Sequence, residues 1–463
     1  MAHDTLTNAQ MRDIEALVHP YTHAASLRQT GAHMIASGEG IYVTDEAGRR
    51  YVEGLAGLWC CGLGFGDAEL VEAAQAQFSR LPYYHLFGGR THEPAIELAE
   101  KLKELLPMEA ARIFYGCSGS EANDSQIKLI WYMNNVLGRP EKKKILSRKR
   151  GYHGVTLATA SLTGLPLNHE DFDLPLEFVR HLRCPHHWKE AEPGETEAEF
   201  SARLAAELEE TILAEGPETV AAFIAEPVMG AGGVIVPPEG YFPAMQAVLR
   251  KYDVQMVADE VICGFGRTAN WFGSETFSIA PNSMSMAKQL TGGYFPLSAV
   301  AMDRRMAEAV EEGASRNPAL GHGFTYGGHP AGCAVALAAL AIYERRDIVG
   351  HVRRVAPVFQ ARLRAAADHP LVGEARGAGL MGGLELSPEP GRPAAFAQPG
   401  KVGARLMEEM LARGVILRSL GDTLAFCPPM VITEAEIEEM MAPLPEALDA
   451  THAWARAEGH LPA

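Results

Sequence analysis

Val254–Lys288 constrains the chain more than any other stretch. Val254, Met256, Val257 and Ala258 form a short apolar run that stops at Asp259. That is the pattern of a buried parallel strand with a carboxylate at its C-terminal mouth. Open α/β sheets bind their ligands at such mouths. A second short run, Ser283–Ala287, ends at Lys288 and is followed by the glycine pair Gly292 and Gly293. An acid and a lysine at neighbouring strand ends suit a pyridine aldehyde cofactor, because the lysine forms an imine with the aldehyde and the acid keeps the ring nitrogen protonated. Spacing by itself also permits a plainer reading, a strand-terminal cap and a surface lysine in a polar loop, and for a pair taken at random it favours that reading.

Composition narrows the setting. A chain of 463 residues holds one large domain and a smaller one with ample core. A formal charge of −17 argues against a nucleic-acid partner, which needs a basic face. The one basic run, Lys142–Lys144 continuing to Arg148, Lys149 and Arg150, reads as a solvated turn. No apolar run approaches the roughly 20 residues that span a bilayer, so no membrane partner is expected. The N-terminus lacks the basic start and apolar core of a signal peptide, and a cytoplasmic location is expected. Seven cysteines, an odd count that includes the adjacent pair Cys60 and Cys61, do not make a disulfide framework. Reduced thiols fit them best.

Along the chain, residues 1–40 read as a helical patch near Met11–Val18 followed by an irregular arm, and residues 41–57 as a hairpin turning at Glu46–Gly48. Glu93–Leu106 is a helix and Arg112–Tyr115 a strand. The small-residue turn GCSGS then leads straight into another helix, a natural anion site unless Ser120 is simply its N-cap. His186 and His187 read as loop histidines without metal-ligand spacing, ahead of an acidic helix over Glu190–Leu213, and no metal is expected. Val220–Ala225 is a buried strand ended by Glu226. GAGLMG at Gly377–Gly382 satisfies a dinucleotide-binding pattern in letters only, since a strand-like LEL follows it where a helix is required. Lys401–Arg413 is an amphipathic helix, Val415–Leu417 and Thr423–Cys427 are strands, and Thr433 with Glu436 forms a capping box for the last helix.

The wording around Asp259 and Lys288 overturns the plainer reading of that pair. VADEVICGFGRTANWFG, SMSMAKQLTGGYFPLSAV and HGFTYGGHP resemble the class III aminotransferases of the ω-amino acid:pyruvate and amine:pyruvate type, from about Tyr42 to the last helix. The resemblance implies an α/β chain of the pyridoxal phosphate (PLP) fold type I. Its large domain has a mostly parallel central sheet flanked by helices, and its smaller α+β domain is made from both chain ends. The expected boundaries are 1–60 and 330–463 for the two parts of the small domain and 61–329 for the large one. PLP is the implied cofactor and a homodimer the implied assembly, with the active site at the interface.

Carried over position by position, the resemblance implies that Lys288 bonds PLP and Asp259 stabilises its ring nitrogen. Gly119 and Ser120 would cradle its phosphate, joined by Thr325 from the neighbouring subunit. Tyr152 and Val261 would flank the ring, and Glu226 would lie beside its substituents. Trp59, Phe87, Tyr152 and Ala231 fall at or near pocket positions, and Arg418 matches an arginine that binds a substrate carboxylate. Two departures bear on loop geometry: Gln289 follows the lysine where glycine is common, and Cys117 stands where threonine or asparagine is usual. The implied reaction is a ping-pong transfer of an amino group from a primary amine or ω-amino acid to pyruvate or a related keto acid. An aminomutase, decarboxylase or racemase of the same family is the alternative.

Overall fold

Every central strand of the protein is a short run of apolar or small residues that turns polar where the chain reaches the site. The computed structural model describes residues 6–461. Its main sheet has seven strands, in the spatial order Arg112–Gly116, Ser298–Met302, Ser283–Met286, Gln255–Asp259, Val220–Ala225, Lys144–Arg148 and Val179–Leu182. Ser298–Met302 runs antiparallel to both neighbours, and the remaining pairings are parallel. Val220–Ala225 lacks polar alternation because both its faces are covered, while Ser283–Met286 alternates serine with methionine and is still buried at every position. Val220–Ala225 is buried at every position, each large aliphatic side chain there contributing about 1.5–3 kcal/mol.

The register brings the functional ends together. Asp259 pairs with Ser285, so Lys288, just beyond Met286, emerges beside it. Ala225 pairs with Ala258, which sets Glu226 on the next strand end. Lys144–Arg148 lies beyond that and leads into Tyr152. At the antiparallel edge, Gly116 pairs with Ser298, and the helix Gly119–Val136 begins at the same end of the sheet.

Two smaller sheets complete the chain. Ile35–Glu39, Tyr42–Asp45 and Arg50–Glu53 form an antiparallel meander, and Val415–Ile416 joins it in parallel beside Arg50–Glu53. Val372–Ala378, Met381–Leu386, Thr423–Phe426 and Arg418–Leu420 make an antiparallel sheet. Gly377–Gly382 is therefore a hairpin turning at Gly379, and strand follows it as the sequence indicated. Helix Pro330–Arg345 packs against Ala68–Arg80 and Glu93–Leu105. The capping box of Thr433 and Glu436 opens Glu434–Met441.

Three sequence expectations need correction. The helical patch is the helix Asn8–Ala16, but the arm after it is not irregular: it contains the helix Ala24–Thr30 and leads into the strand Ile35–Glu39. The acidic helix is broken at Pro193–Gly194 into His187–Glu190 and Glu197–Glu215, the second capped by Thr196 and Glu199. The basic run is not a solvated turn: Lys142 and Arg148 are buried, and Arg148 Nη2 donates to the Glu226 carbonyl at 2.6 Å. Lys144–Arg148 is a central strand, and Arg148 also lies over the rings of Tyr241 and Phe242, which solvate its charge in place of water. Among the described residues no helix is long and apolar enough to cross a membrane.

Candidate active site

Asp259 is set from behind by groups that the motif comparison passed over. Asn123 Nδ2 donates to Asp259 Oδ2 at 2.7 Å, and His153 Nδ1 lies 2.8 Å from the same oxygen. The Val261 N–H donates to Oδ1 at 3.2 Å. All three side chains, Asp259, Asn123 and His153, are buried. The signals for the two missed residues were modest: an asparagine among the mixed polar and apolar residues that helix Gly119–Val136 buries, and a histidine directly after Tyr152.

Asp259 forms the floor of a cavity of about 310 Å³ that is also lined by Ser118, Gly119, Ser120, Tyr152, Glu226, Val261 and Lys288. Helix Gly119–Val136 opens onto it, with Ser118 as the N-cap accepting from Glu121 N. Ser120 is therefore not the cap; its hydroxyl accepts from the Val155 N–H at 3.2 Å. Glu226 acts as a brace, one carboxylate oxygen accepting from Tyr152 N and the other from Gly230 N, each at 2.9 Å. Burial raises its pKa. Lys288 is half-buried and has a φ of 46°, a left-handed backbone whose strain its surroundings must hold.

A second cavity of about 360 Å³ is lined by Trp59, Tyr152, Ala231 and Arg418 together with Tyr21, Arg150 and Lys288. The two cavities share Tyr152, Ile262 and Lys288, so the lysine stands where they meet. Burial and the neighbouring Tyr21 hydroxyl raise the pKa of Tyr152. Phe87 and Thr325 line neither cavity of their own chain. Both are exposed, and Tyr83, near Phe87, donates its hydroxyl to the Thr325 carbonyl at 2.7 Å.

The first cavity fits PLP by its donor set. Helix N–H groups at Ser118–Ser120 suit a phosphate, Asp259 faces the cavity with a carboxylate suited to a protonated ring nitrogen, and Lys288 offers an amine. At Gly119 a Cβ would come within 3.0 Å of Val261 Cγ1, so glycine keeps the cradle close to the ring site.

The aminotransferase class-III family model matches residues 24–448. The chain belongs to the class III aminotransferases. It is a PLP-dependent transferase of fold type I. A gamma-aminobutyrate transaminase of Oryza sativa, named as mitochondrial, is 48% identical over 94% of this chain and 84% of its own length. A diaminobutyrate–2-oxoglutarate transaminase of Halomonas elongata is 46% identical over 93% of each chain. The solved ω-transaminase of Pseudomonas jessenii in complex with PMP superposes with a TM-score of 0.95 at 48% identity, covering 97% of this chain and 99% of that one. A thermostable P. jessenii variant engineered for asymmetric synthesis of enantiopure bulky amines also gives 0.95 at 48% identity, covering 96% of this chain and 100% of its own.

Of the two expected loop histidines, His187 opens the helix His187–Glu190 and His186 stays in the loop before it. His186 is buried with Nε2 2.7 Å from Glu374 Oε2, and its ligand atom and those of Glu374 and Glu385 lie within 4.8 Å of one another. Arg376 donates to both carboxylates at 2.6 Å, and Lys189 pairs with Glu385. Two cations of the chain thus already balance these acids.

Proposed function

We propose that the protein is an ω-transaminase that moves an amino group from a primary amine or ω-amino acid to pyruvate or a related keto acid by a ping-pong mechanism. One observation carries the reading: the cavity suited to PLP opens at Lys288 into a second cavity walled by Trp59 and Tyr152 and edged by Arg418. Apolar walls with one guanidinium suit a donor with a bulky substituent and an acceptor with a carboxylate. The names of the relatives add ω-amino acid donors and 2-oxoglutarate to the substrates to be compared.

PLP, when bound, supplies a carbonyl carbon for the amine and a ring that takes up electrons from the carbon being deprotonated. Lys288 Nζ would hold it and would take up the proton from the donor's amine-bearing carbon. Asp259, held by Asn123 and His153, keeps the proton on the ring nitrogen through its charge. Tyr152 and Val261 confine the ring, while Gly119 and Ser120 hold the phosphate and Glu226 fixes the turn before Tyr152. Trp59, Tyr152 and Ala231 shape the donor site, and Arg418 orients the carboxylate.

The exposed Phe87 and Thr325 support a homodimer in which each subunit completes its partner's site. The pairing of Val415–Ile416 with Arg50–Glu53 supports a small domain built from residues 1–60 and 330–463 around a large domain of 61–329.

The experiment is a half-reaction on purified holoenzyme: L-alanine, β-alanine or a chiral arylethylamine is added singly, without acceptor, while the cofactor band is followed. The expected result is bleaching that pyruvate reverses and that Lys288→Ala abolishes. A cofactor band that no amine bleaches overturns the reading. Bleaching reversed only by 2-oxoglutarate keeps the transamination and replaces the acceptor.

A further inference from the structure

The turn Leu55–Cys61 supplies much of one wall of the active site. Leu58 and Trp59 line the larger cavity and Cys60 the smaller. Its backbone is unusual, since Ala56, Gly57 and Trp59 have φ of 50°, 68° and 64°. For Ala56 and Trp59, which carry a Cβ, this region is strained, so the turn persists only where its surroundings hold it.

Glu53, the last residue of Arg50–Glu53, does the holding. Its Oε1 accepts from Leu55 N at 3.1 Å, and its Oε2 accepts from Gly57 N. The main chain is anchored at the same point, because Glu53 N donates to the Ile41 carbonyl and Gly54 N to the Ile416 carbonyl, both at 2.9 Å. Glu53 pairs in register with Ile416, two residues before Arg418.

The side chain is 4% exposed, and burial pushes its pKa up to about 8. The thiols of Cys60, Cys61 and Cys427 feel its charge together with that of Arg267, and Cys60 and Cys427 also feel that of Lys288. Burying a carboxyl without a cationic partner is costly. What this one gains is two backbone N–H groups, each facing a different oxygen. A glutamine in its place would offer one acceptor and turn its amide N–H₂ against the other donor.

We propose that Glu53 is a positioning residue for the donor side of the reaction. By holding the N–H groups of Leu55 and Gly57 it fixes the turn that sets Trp59 against the larger cavity, and so discriminates among amine donors by size without touching them. The proposal rests on the reading of that cavity as the donor site.

The test compares holoenzymes of the wild type, Glu53→Gln, Trp59→Gly and the double variant, using an arylethylamine and L-alanine as donors. At pH 9, where the Glu53 carboxyl is ionised, Glu53→Gln is expected to raise KM for the arylethylamine about fivefold to tenfold, the size of one or two weakened hydrogen bonds, with kcat changed by less than about twofold. KM for L-alanine is expected to stay within about twofold, and in the Trp59→Gly background Glu53→Gln should leave the ratio of the two KM values unmoved, because coupled residues are non-additive.

A second measurement covers the case in which Glu53→Gln yields no holoenzyme. The wild-type KM ratio is expected to shift between pH 7 and pH 9, and Glu53→Asp to keep a pH-dependent ratio displaced from that of the wild type. A ratio that Glu53→Gln leaves unchanged, an equal effect with and without Trp59, or a wild-type ratio flat across that range each overturns the proposal. If Trp59→Gly itself leaves the ratio unchanged, the donor-site reading of the cavity fails and the proposal falls with it. A changed ratio in Trp59→Gly with none in Glu53→Gln removes the proposal alone.

Discussion

His153 Nδ1 lies 2.8 Å from Asp259 Oδ2, and both side chains are buried at the floor of the cofactor cavity. A nitrogen facing a carboxylate at that distance carries the hydrogen, so His153 and Asn123 both donate to Oδ2 while Val261 N donates to Oδ1. Three donors thus hold the Asp259 side chain in one rotamer at the lining of the cavity.

His153→Ala removes one of those charge-assisted bonds, worth about 1.5–3 kcal/mol, and should lower PLP affinity about 10- to 100-fold. Cofactor titration of the apoenzyme by absorbance checks it. Unchanged affinity would show that Asn123 and Val261 suffice to hold the acid.

The proposed phosphate cradle at Gly119 and Ser120 depends on a close approach at Gly154. Its φ is +129°, and a Cβ there would stand 2.6 Å from Ser120 Oγ, 2.7 Å from Thr159 Oγ1 and 2.8 Å from Ser120 Cα. Gly154→Ala should displace the start of helix Gly119–Val136, reduce PLP retention on dialysis and lower the melting temperature. Gly194→Ala is the control, since its φ is +85° but nothing lies within 4 Å of the added Cβ. It should cost only the backbone strain, roughly 1 kcal/mol, and leave cofactor binding alone.

Legibility in the sequence followed the physics of each segment. Val220–Ala225 was readable as an uninterrupted apolar run buried on both faces, and Gln255–Asp259 because Met256, Val257 and Ala258 lead straight into an acid that marks the strand's mouth. Lys288 and Asp259 were singled out by position and by motif, and the parallel register between their strands brings them to one edge. Asn123, His153 and Glu53 were not legible. Each works by a hydrogen bond to a partner that only the tertiary fold or a sharp turn brings within reach. The basic run misled for a related reason, because the desolvation of Arg148 is offset by a carbonyl and two aromatic faces distant in sequence.

Acid should weaken the contact between the C-terminal sheet and the loop that carries Ala231. Burial alone would raise the pKa of Glu385, but the charges of Arg376 and Lys189 outweigh it and hold the carboxyl at about 2. Arg376 also donates to the Gly233 carbonyl through Nε at 3.1 Å. A carboxyl held below its ordinary value stabilises the fold above about pH 4.5, and that contribution disappears as pH falls towards 2. A shift of this size corresponds to on the order of 3 kcal/mol. Arg376→Met should lower the melting temperature at pH 7, and the gap from the wild type should narrow as pH drops below 4.5. A gap that stays constant down to pH 3 would show that the pair contributes packing and not charge.

Arg418 begins the strand Arg418–Leu420 at the edge of the larger cavity, and its neighbour Val415–Ile416 is fixed by pairing with Arg50–Glu53. The guanidinium is thus carried by a firm piece of backbone on a flexible side chain, which suits a group that meets a carboxylate in one half-reaction and an uncharged amine in the other. Arg418→Leu removes a bidentate, charge-assisted contact and enlarges the apolar surface facing the donor. KM for pyruvate should rise about 10- to 100-fold, while KM for the arylethylamine stays level or falls. Separate half-reaction kinetics with each substrate make the comparison. Equal losses for both would mean that Arg418 supports the fold of the strand, and no loss for pyruvate would hand the carboxylate to Arg150, the other guanidinium lining the same cavity.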